Sequence, residues 1–264
     1  MKHRVIITGG SKGIGKAIAE RFAKEECDIY LLASNTENLE KTKSELQNKY
    51  YINVNYYAAD LKTKTGCENA IKAVEKEFEN FDTLIFSAGA TKSGDFLKQP
   101  IEDFEDGFAL KFYSAVRLSK AFWPTLSKNK GWIVSINGAM SHSPDPFFMV
   151  GGAVNAAFLN FTKALSKRGL VDGVNVNSIN PGMTSTDRLI TIIQNNADRE
   201  GISFVDAEKN ALKNIGLDRF STPEEVAEIM AAQLLKEEEA ASKRERKKAA
   251  LSIKDRKVTP VTLD

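Results

Sequence analysis

A glycine-rich turn near the N-terminus most constrains what this chain can fold into. Residues 8–15 read T-G-G-S-K-G-I-G, and they join an apolar run at 5–7 to a helical pattern that begins at Lys16. Glycine permits positive φ and leaves the backbone open, and the N-terminus of a helix carries partial positive charge. A strand, a glycine turn and a helix in this order predict a site for the pyrophosphate of a dinucleotide.

Apolar runs and helical patterns alternate along the rest of the chain. The predicted buried strands cover residues 5–7, 28–33, 52–57, 82–86, 132–136, 174–179 and 257–263. The helices expected between them include residues 16–25, 37–49, 101–123 and 150–167. Strands separated by helices of ten or more residues imply right-handed crossovers and a parallel sheet. The prediction is an α/β fold, a doubly wound Rossmann-type sheet of seven strands in one domain, residues 1–264.

Local signals refine this prediction. The helix over 101–123 is expected to stop before Pro124, and residues 186–216 to hold helical pieces of uneven periodicity, as a substrate lid does. Residues 222–225, T-P-E-E, predict a helix start with a threonine N-cap. The charged stretch 236–256 is expected to be a solvated helical extension, or alternatively a docking patch for an acidic partner or RNA.

Composition narrows the class of partner. A net charge of +2, from 37 basic and 35 acidic residues, gives no general reason to expect nucleic acid or an anionic membrane. No apolar run reaches the length of a membrane span. Cys27 and Cys67 are too few for a disulfide framework or a cysteine metal site. With His3 and His142 the only histidines, a histidine-rich metal centre is excluded as well, although a carboxylate site is not, and we predict no metal-binding residue. A soluble cytoplasmic protein that acts on a small molecule is the expectation.

Separated motifs resemble those of the short-chain dehydrogenase/reductase family. The turn has the family's T-G-x-x-x-G-[I/L]-G spacing, and Asp60-Leu61 looks like the pair that holds the adenine. Residues 86–89, F-S-A-G, stand where the family has N-N-A-G, and residues 181–186, P-G-M-T-S-T, match its P-G-x-x-x-T loop. This resemblance runs from Thr8 to about Ala232. It implies a nicotinamide cofactor and hydride transfer to or from a carbonyl or alcohol.

The residues after the second strand favour NADP(H) over NAD(H). NAD selectivity needs a carboxylate at the end of that strand, where this chain has Ser34 and Asn35. Lys12 can pair with a 2′-phosphate instead. The residues predicted to contact the cofactor are Gly9, Ser11, Lys12, Gly13, Ile14, Gly15, Ser34, Asn35, Asp60, Leu61, Ser87, Ala88, Gly89, Pro181, Gly182, Thr184 and Thr186.

The catalytic groups that the resemblance implies are absent. The family uses a tyrosine as proton donor, a lysine four residues later that lowers the tyrosine's pKa, a serine that orients the carbonyl and an asparagine that holds a relay water. The aligned positions hold Gly151, Asn155, Gly138 and Lys111, in that order, and no tyrosine follows Tyr113. A shift of a few residues in the alignment therefore does not restore the motif.

Three residues are candidate substitutes for proton transfer: Lys111, Ser141 and His142. Lys111 either enters the space of the family lysine or is a solvated residue on a helix flank. The pKa of an imidazole suits His142 for acid catalysis, although loop histidines are often mere surface groups. Two functions stay open. One is an NADP(H)-dependent oxidoreductase with a non-standard proton donor or weak activity, and the other is an inactive NADP(H)-binding sensor or partner protein.

Assembly is predicted from the same resemblance, which implies a homodimer through helices 101–123 and 150–167. The second of these helices carries an apolar surface wide enough for both its own sheet and a partner. The residues that form this surface are Ala153, Ala156, Ala157, Phe158 and Phe161.

Overall fold

Six parallel strands form the centre of the protein. The computed structural model describes residues 3–234. Its strands are β1 (Arg4–Thr8), β2 (Asp28–Ala33), β3 (Val54–Ala58), β4 (Thr83–Phe86), β5 (Trp132–Ile136) and β6 (Asn175–Ile179). They pair in the order β3-β2-β1-β4-β5-β6, all in parallel. The chain reverses its direction of winding between β1 and β4, and the crevice at the carboxyl ends of these strands is where such sheets bind ligands.

Helices cover both faces of the sheet. They are α1 (Gly13–Lys24), α2 (Thr36–Lys49), α3 (Lys64–Glu77), α4 (Ile101–Gly107), α5 (Ser114–Lys128), α6 (Met149–Asp172), α7 (Asp187–Glu200), α8 (Phe204–Ile215) and, as far as it is described, α9 (223–234). A π-helical segment, Phe108–Tyr113, joins α4 to α5, and a short 3₁₀ turn, Ala139–Ser141, follows β5. No helix within residues 3–234 has the length and apolar character needed to span a membrane.

Each strand sends alternate side chains into two separate cores. On β1, Val5 and Ile7 pack with apolar residues of α1, α2 and α9, whereas Ile6 packs on the opposite face with α3, α5 and α6. All three β1 side chains are completely buried. Because successive side chains of a strand point to opposite faces, a continuous apolar run is what a sheet covered on both faces requires. The α/β doubly wound prediction is confirmed.

Two helices beyond β6 form a smaller unit with its own apolar cluster. Leu189 and Ile193 of α7 pack against Ala207 of α8 and against Phe220. The region predicted to hold helical pieces thus contains two regular helices. The helix start at Thr222 is also confirmed: its hydroxyl accepts from the N–H of Glu225 at 3.2 Å, and the Glu225 carboxylate accepts from the N–H of Thr222 at 2.8 Å.

The long helix predicted over 101–123 was wrong in two respects. It is interrupted by the π-helical segment, and it continues through Pro124 to Lys128. A proline inside a helix costs about 3 kcal/mol. Phe122 and Leu126 lie on either side of Pro124 and are almost fully buried, and burying each contributes about 1.5–3 kcal/mol. Tertiary burial therefore outweighs the local signal for a stop.

The described part contains six strands, rather than the seven predicted for the whole chain. The seventh predicted strand, 257–263, and the charged extension, 236–256, lie outside the described residues. The first helix also begins earlier than expected, at Gly13 instead of Lys16, because the last two glycines of the turn already belong to it.

Candidate active site

The glycine turn is packed tightly between the ends of three strands. Gly9 and Gly13 have φ of 69° and 53°, and the N–H of Gly9 donates to the carbonyl of Leu32 at 2.7 Å. A Cβ on Gly9 would lie 2.8 Å from the backbone of Ala88, and one on Gly15 would lie 2.2 Å from the carbonyl oxygen of Gly9. Real Cβ atoms do not approach so closely, so these positions require glycine. The cradle that a dinucleotide pyrophosphate needs is present.

The loop after β4 is fixed against this turn by Thr8. The Thr8 hydroxyl accepts from the N–H groups of Ser87 and Ala88, both at 3.2 Å. The first turn of α1 carries no acidic residue that would repel an anion. The structure therefore brings the predicted residues of the turn and of the F-S-A-G loop to one edge of the sheet, at its switch point.

The loop 181–186 forms the third side of the crevice. A Cβ on Gly13 would lie 3.4 Å from Cγ2 of Thr186, which is also the N-cap of α7. Thr184 is buried, and its hydroxyl interacts with the carbonyl of Gly182 at 3.2 Å and the hydroxyl of Ser221 at 3.0 Å. Of the two threonines, Thr186 therefore lies beside the glycine turn, while Thr184 anchors the loop.

Four of the five residues predicted to face the adenosine end of the cofactor lie at the surface. Lys12, Ser34, Asn35 and Asp60 are exposed, whereas Leu61 is buried. Asn35 is the N-cap of α2, and its side-chain oxygen accepts from the N–H of Asn38 at 2.7 Å. Asp60 accepts from the N–H of Lys62 at 3.0 Å. The exposed amine of Lys12 stands at the N-cap of α1, in reach of an anion at that helix terminus.

Three of the four residues that the resemblance aligns with the family's catalytic groups lie close together. The Lys111 amine donates to the carbonyl oxygen of Asn137 at 2.5 Å and to Oδ1 of Asn155 at 2.6 Å. Gly138, the residue after Asn137, has φ of 128°, and a Cβ on it would lie 2.9 Å from Nδ2 of Asn155. Lys111 thus reaches the residue at the position of the family lysine and is not a solvated flank residue.

The fourth replaced position, Gly151, is covered by an aromatic ring. A Cβ on Gly151 would lie 1.9 Å from Cε1 of Phe148, so the Phe148 ring occupies the space where any side chain at this position would start. The guanidinium carbon of Arg188 lies 5.8 Å from the centroid of that ring. In place of a tyrosine hydroxyl, the site presents a phenylalanine with an arginine over its face.

Burial perturbs the amine of Lys111. Desolvation, and secondly the charge of Arg188, lower the pKa of Lys111 from 10.5 to about 7. Arg188 is exposed along part of its side chain, but its guanidinium donates to the carbonyl of Gly89 at 3.0 Å and to the Thr91 hydroxyl at 2.6 Å. Burial lowers the pKa of Arg188 as well, yet a guanidinium stays charged at physiological pH.

The other two candidate proton donors have different surroundings. Ser141 closes its own turn by donating to the carbonyl of Gly138 at 2.9 Å, and His142 is exposed at the end of that turn. Within residues 3–234 no group of three or more histidine, cysteine or acidic side chains is arranged to hold a metal ion. Cys27 and Cys67 are both buried.

Three features of the site were missed by sequence reasoning. The π-helical segment that carries Lys111 has no sequence signature, although π turns are frequent at functional sites. Phe148 lies in a loop, where spacing does not predict the direction of a ring. Arg188 had the best signal, because it stands two residues after the threonine that ends the P-G-x-x-x-T loop.

A parallel sheet with a glycine-rich turn at its switch point is the arrangement typical of dinucleotide-binding α/β proteins. The sequence profile of the short chain dehydrogenase family matches residues 3–197, and the chain belongs to this family. The resemblance drawn from the motifs is confirmed.

Several relatives match this chain over most of its length. The NADPH-dependent reductase BacG of Bacillus subtilis is 27% identical over 239 residues, which cover 90% of this chain and 92% of BacG. L-sorbose reductase from Gluconobacter frateurii, solved with NADPH and L-sorbose, is 27% identical with a TM-score of 0.81, covering 87% and 88% of the two chains. An NAD⁺-bound xylitol dehydrogenase, 21% identical with a TM-score of 0.81 over 87% and 90%, shares the fold.

Proposed function

We propose that this protein is an NADP(H)-dependent oxidoreductase of a carbonyl or alcohol substrate, and that Lys111 exchanges the proton with the substrate oxygen. The observation that carries this proposal is the placement of the Lys111 amine, between the carbonyl of Asn137 and Oδ1 of Asn155. A general acid or base is most effective when its pKa lies near the working pH. The pKa of Lys111, about 7, meets that requirement.

The geometry gives each group a task. A protonated amine has three N–H groups, and Lys111 directs two of them to Asn137 and Asn155. Its third N–H donates to the carbonyl oxygen during reduction, and the amine is neutral afterwards. In the opposite direction, the neutral amine accepts the proton of the alcohol. Asn155 is a positioning residue, since it fixes the amine and does not itself titrate.

The cofactor supplies or accepts the hydride, and the residues of this chain fit it. Gly9, Gly13 and Gly15 provide the cradle, because a side chain on any of them would meet backbone or require a strained φ. Lys12, with no carboxylate at positions 34 and 35, supports NADP(H) over NAD(H). The naming of BacG and of L-sorbose reductase as NADPH proteins supports the same preference.

A second candidate function is NADP(H) binding without turnover, as a sensor or as the partner of another protein. Phe148 favours it, because its ring fills the space over Gly151 in which the family places its acid. Loss of general acid catalysis removes about 10²–10⁴-fold in rate. The cradle would then serve binding alone.

Turnover by single variants distinguishes the two functions. The full-length protein is saturated with NADPH, and consumption of NADPH is followed with a panel of ketones and aldehydes. The proposal expects turnover that falls by about 10²–10⁴-fold in Lys111→Met, with NADPH affinity retained. Lys120→Met is the matched control, since Lys120 is exposed on α5. Tight NADPH binding with no turnover supports the second function, and unchanged turnover in Lys111→Met overturns the role of Lys111.

A further inference from the structure

Two cationic side chains converge on one point of the active site. Lys111 comes from the π-helical segment and Arg188 from the first turn of α7. A Cβ placed on Gly89 would lie 3.5 Å from Cδ of Lys111 and 4.0 Å from Nη1 of Arg188. The two side chains therefore border the same small space beside the loop that follows β4.

Neither cation has an anionic partner in the described part of the chain. The acceptors of Arg188 are the carbonyls of Gly89 and Thr91 and the Thr91 hydroxyl, and those of Lys111 are the carbonyl of Asn137 and the amide oxygen of Asn155. All five acceptors are neutral. The charge of Arg188 acts on Lys111, and within residues 3–234 no carboxylate forms an ion pair with either.

Another arginine of the same helix shows the contrast. Arg199 also lies over a phenylalanine ring, that of Phe147, at 3.9 Å, but its guanidinium pairs with the carboxylate of Glu200 at 2.9 Å. Asp187 is the acid nearest to Arg188 in sequence, and it lines a separate cavity between α7 and α8. Among the residues that the structure describes, none thus supplies a carboxylate that compensates the charge of Arg188.

We propose that the substrate carries an anionic group, a carboxylate or a phosphate, close to its reacting carbon, and that Arg188 binds this group. A planar guanidinium can hold two oxygens of such a group at once. Two cations that are partly desolvated and repel each other are stabilised when an anion enters between them. The inference rests on the proposed function only where it places the anionic group close to the reacting carbon. The anion site itself follows from the charges of Lys111 and Arg188.

The convergence on Gly89 also limits the size of the substrate. Lys111 is the proposed proton donor to the carbonyl oxygen, and Arg188 borders the same space. The carbonyl and the anionic group must therefore lie within a few bonds of each other, as in short oxo acids and in phosphorylated hydroxyketones. The Phe148 ring covers Gly151 and lies beside Arg188, and we expect it to disfavour a bulky group next to the carbonyl.

The cofactor's own phosphates are the competing explanation for Arg188. Thr186, two residues before Arg188, lies beside Gly13 of the cradle. The Arg188 guanidinium is directed to Gly89, which is itself a predicted cofactor contact, and to Thr91 and Phe148. An experiment must therefore measure substrate and cofactor binding separately.

Binding without turnover provides that separation. The full-length protein is saturated with NADP⁺, which cannot reduce a ketone, and titrated calorimetrically with acetoacetate, methyl acetoacetate, dihydroxyacetone phosphate and dihydroxyacetone. We expect at least one of the two anions to bind at least tenfold more tightly than its neutral counterpart, and Arg188→Gln to abolish that difference. Arg188→Lys, which keeps the charge but loses the planar fork, should give an intermediate preference. Arg199→Gln is the matched control and should keep the full preference.

Each outcome has a clear meaning. A preference for acetoacetate alone identifies a carboxylate substrate, and a preference for dihydroxyacetone phosphate alone identifies a phosphate. Equal binding of anions and neutral compounds overturns the inference, as does a tenfold loss of NADP⁺ affinity in Arg188→Gln, which assigns Arg188 to the cofactor. Anion preference without any consumption of NADPH would remove the proposed function but leave the anion site in place. Turnover of neutral ketones that Arg188→Gln does not alter would support the proposed function and remove the anion site.

Discussion

The amine of Lys111 lies 2.6 Å from Oδ1 of Asn155, although the two residues are 44 positions apart in the chain. In the pattern that the family resemblance implies, a lysine would stand at position 155 and an asparagine at position 111. Relative to that predicted pattern the two residue types have exchanged places, and an amine and an amide lie together at the candidate site. The exchange preserves a cation beside the crevice and changes the helix from which it extends.

The first prediction concerns the pH dependence of turnover. Because the pKa of Lys111 is about 7, its acid form is lost as pH rises above that value. The kcat/KM of ketone reduction should therefore fall above about pH 7, whereas alcohol oxidation should increase. Rate profiles in both directions check this, and Lys111→Met should remove both transitions. Identical profiles in the variant would contradict the assignment.

The same shift makes a prediction about stability. The pKa of Lys111 is lower in the folded state than the 10.5 of an ordinary lysine, so the unfolded state binds more protons between about pH 7 and 10.5. The free energy of unfolding therefore rises with pH across this window. This gain in stability is lost again as pH falls towards 7. Urea unfolding from pH 7 to 9 should show a steeper rise for the wild type than for Lys111→Met. Parallel curves would show that the amine is not desolvated.

Cofactor preference should depend on Lys12. Lys12→Ala removes the exposed amine at the N-cap of α1, and we expect about a tenfold loss of NADPH affinity with little change for NADH, since only NADPH carries the 2′-phosphate. Fluorescence titration with both cofactors measures this. Lys16→Ala is the control, because Lys16 is already paired with Glu45 at 2.5 Å. A wild type that prefers NADH would refute the preference.

Two glycine substitutions should have opposite effects. A Cβ on Gly15 would lie 2.2 Å from the Gly9 carbonyl, so Gly15→Ala should displace the turn, abolish cofactor binding and destabilise the fold by about 1–3 kcal/mol. Gly152, inside α6, would meet only the Met140 carbonyl at 3.5 Å, so Gly152→Ala should stabilise by about 0.5–1 kcal/mol. Thermal unfolding with and without NADPH tests the pair. Equal destabilisation by both variants would mean that the turn is not constrained as described.

A homodimer through α6 and the α4 to α5 region remains a prediction. Tyr113, 51% exposed, and Ala156 lie on the surface of these helices, although Phe158 is buried in the chain's own core. Ala156→Arg should give a monomer by light scattering, because a charge would be buried unpaired. Asn210→Arg adds the same charge to exposed α8 and should leave the dimer intact. A monomeric wild type would remove the prediction.

Strong periodicity made the sheet and most helices predictable from sequence. The strand Asp28–Ala33 was predicted with its observed bounds, because a short apolar run fits a strand that is buried on both faces and is too short for a typical helix. The continuation of α5 through Pro124 was not predictable, since it depends on the burial of Phe122 and Leu126 by distant parts of the chain. Propensity describes local preferences, and here packing overrides them.

The site divides in the same way. The spacing of the glycines predicts the cradle, and Gly9, Gly13 and Gly15 are placed as the motif predicts. From the sequence, Lys111 could either enter the space of the family lysine or be a solvated residue on a helix flank. Its contact with Asn155 was therefore only one of two alternatives. The position of Phe148 over Gly151, and of Arg188 over Phe148, depends on how a loop and a helix dock, which no spacing encodes.

The direction of the Lys111 side chain depends on the number of residues in the π-helical segment from Phe108 to Tyr113. A π turn holds one residue more than the α turn that it replaces, and each residue of an α-helix advances the direction of a side chain by about 100°. Deleting one residue there would rewind the segment into α-helix and swing the amine away from Asn155, while α5 kept its buried face. Chains with and without that residue would share nearly the same fold and differ in whether the amine of residue 111 reaches Asn155.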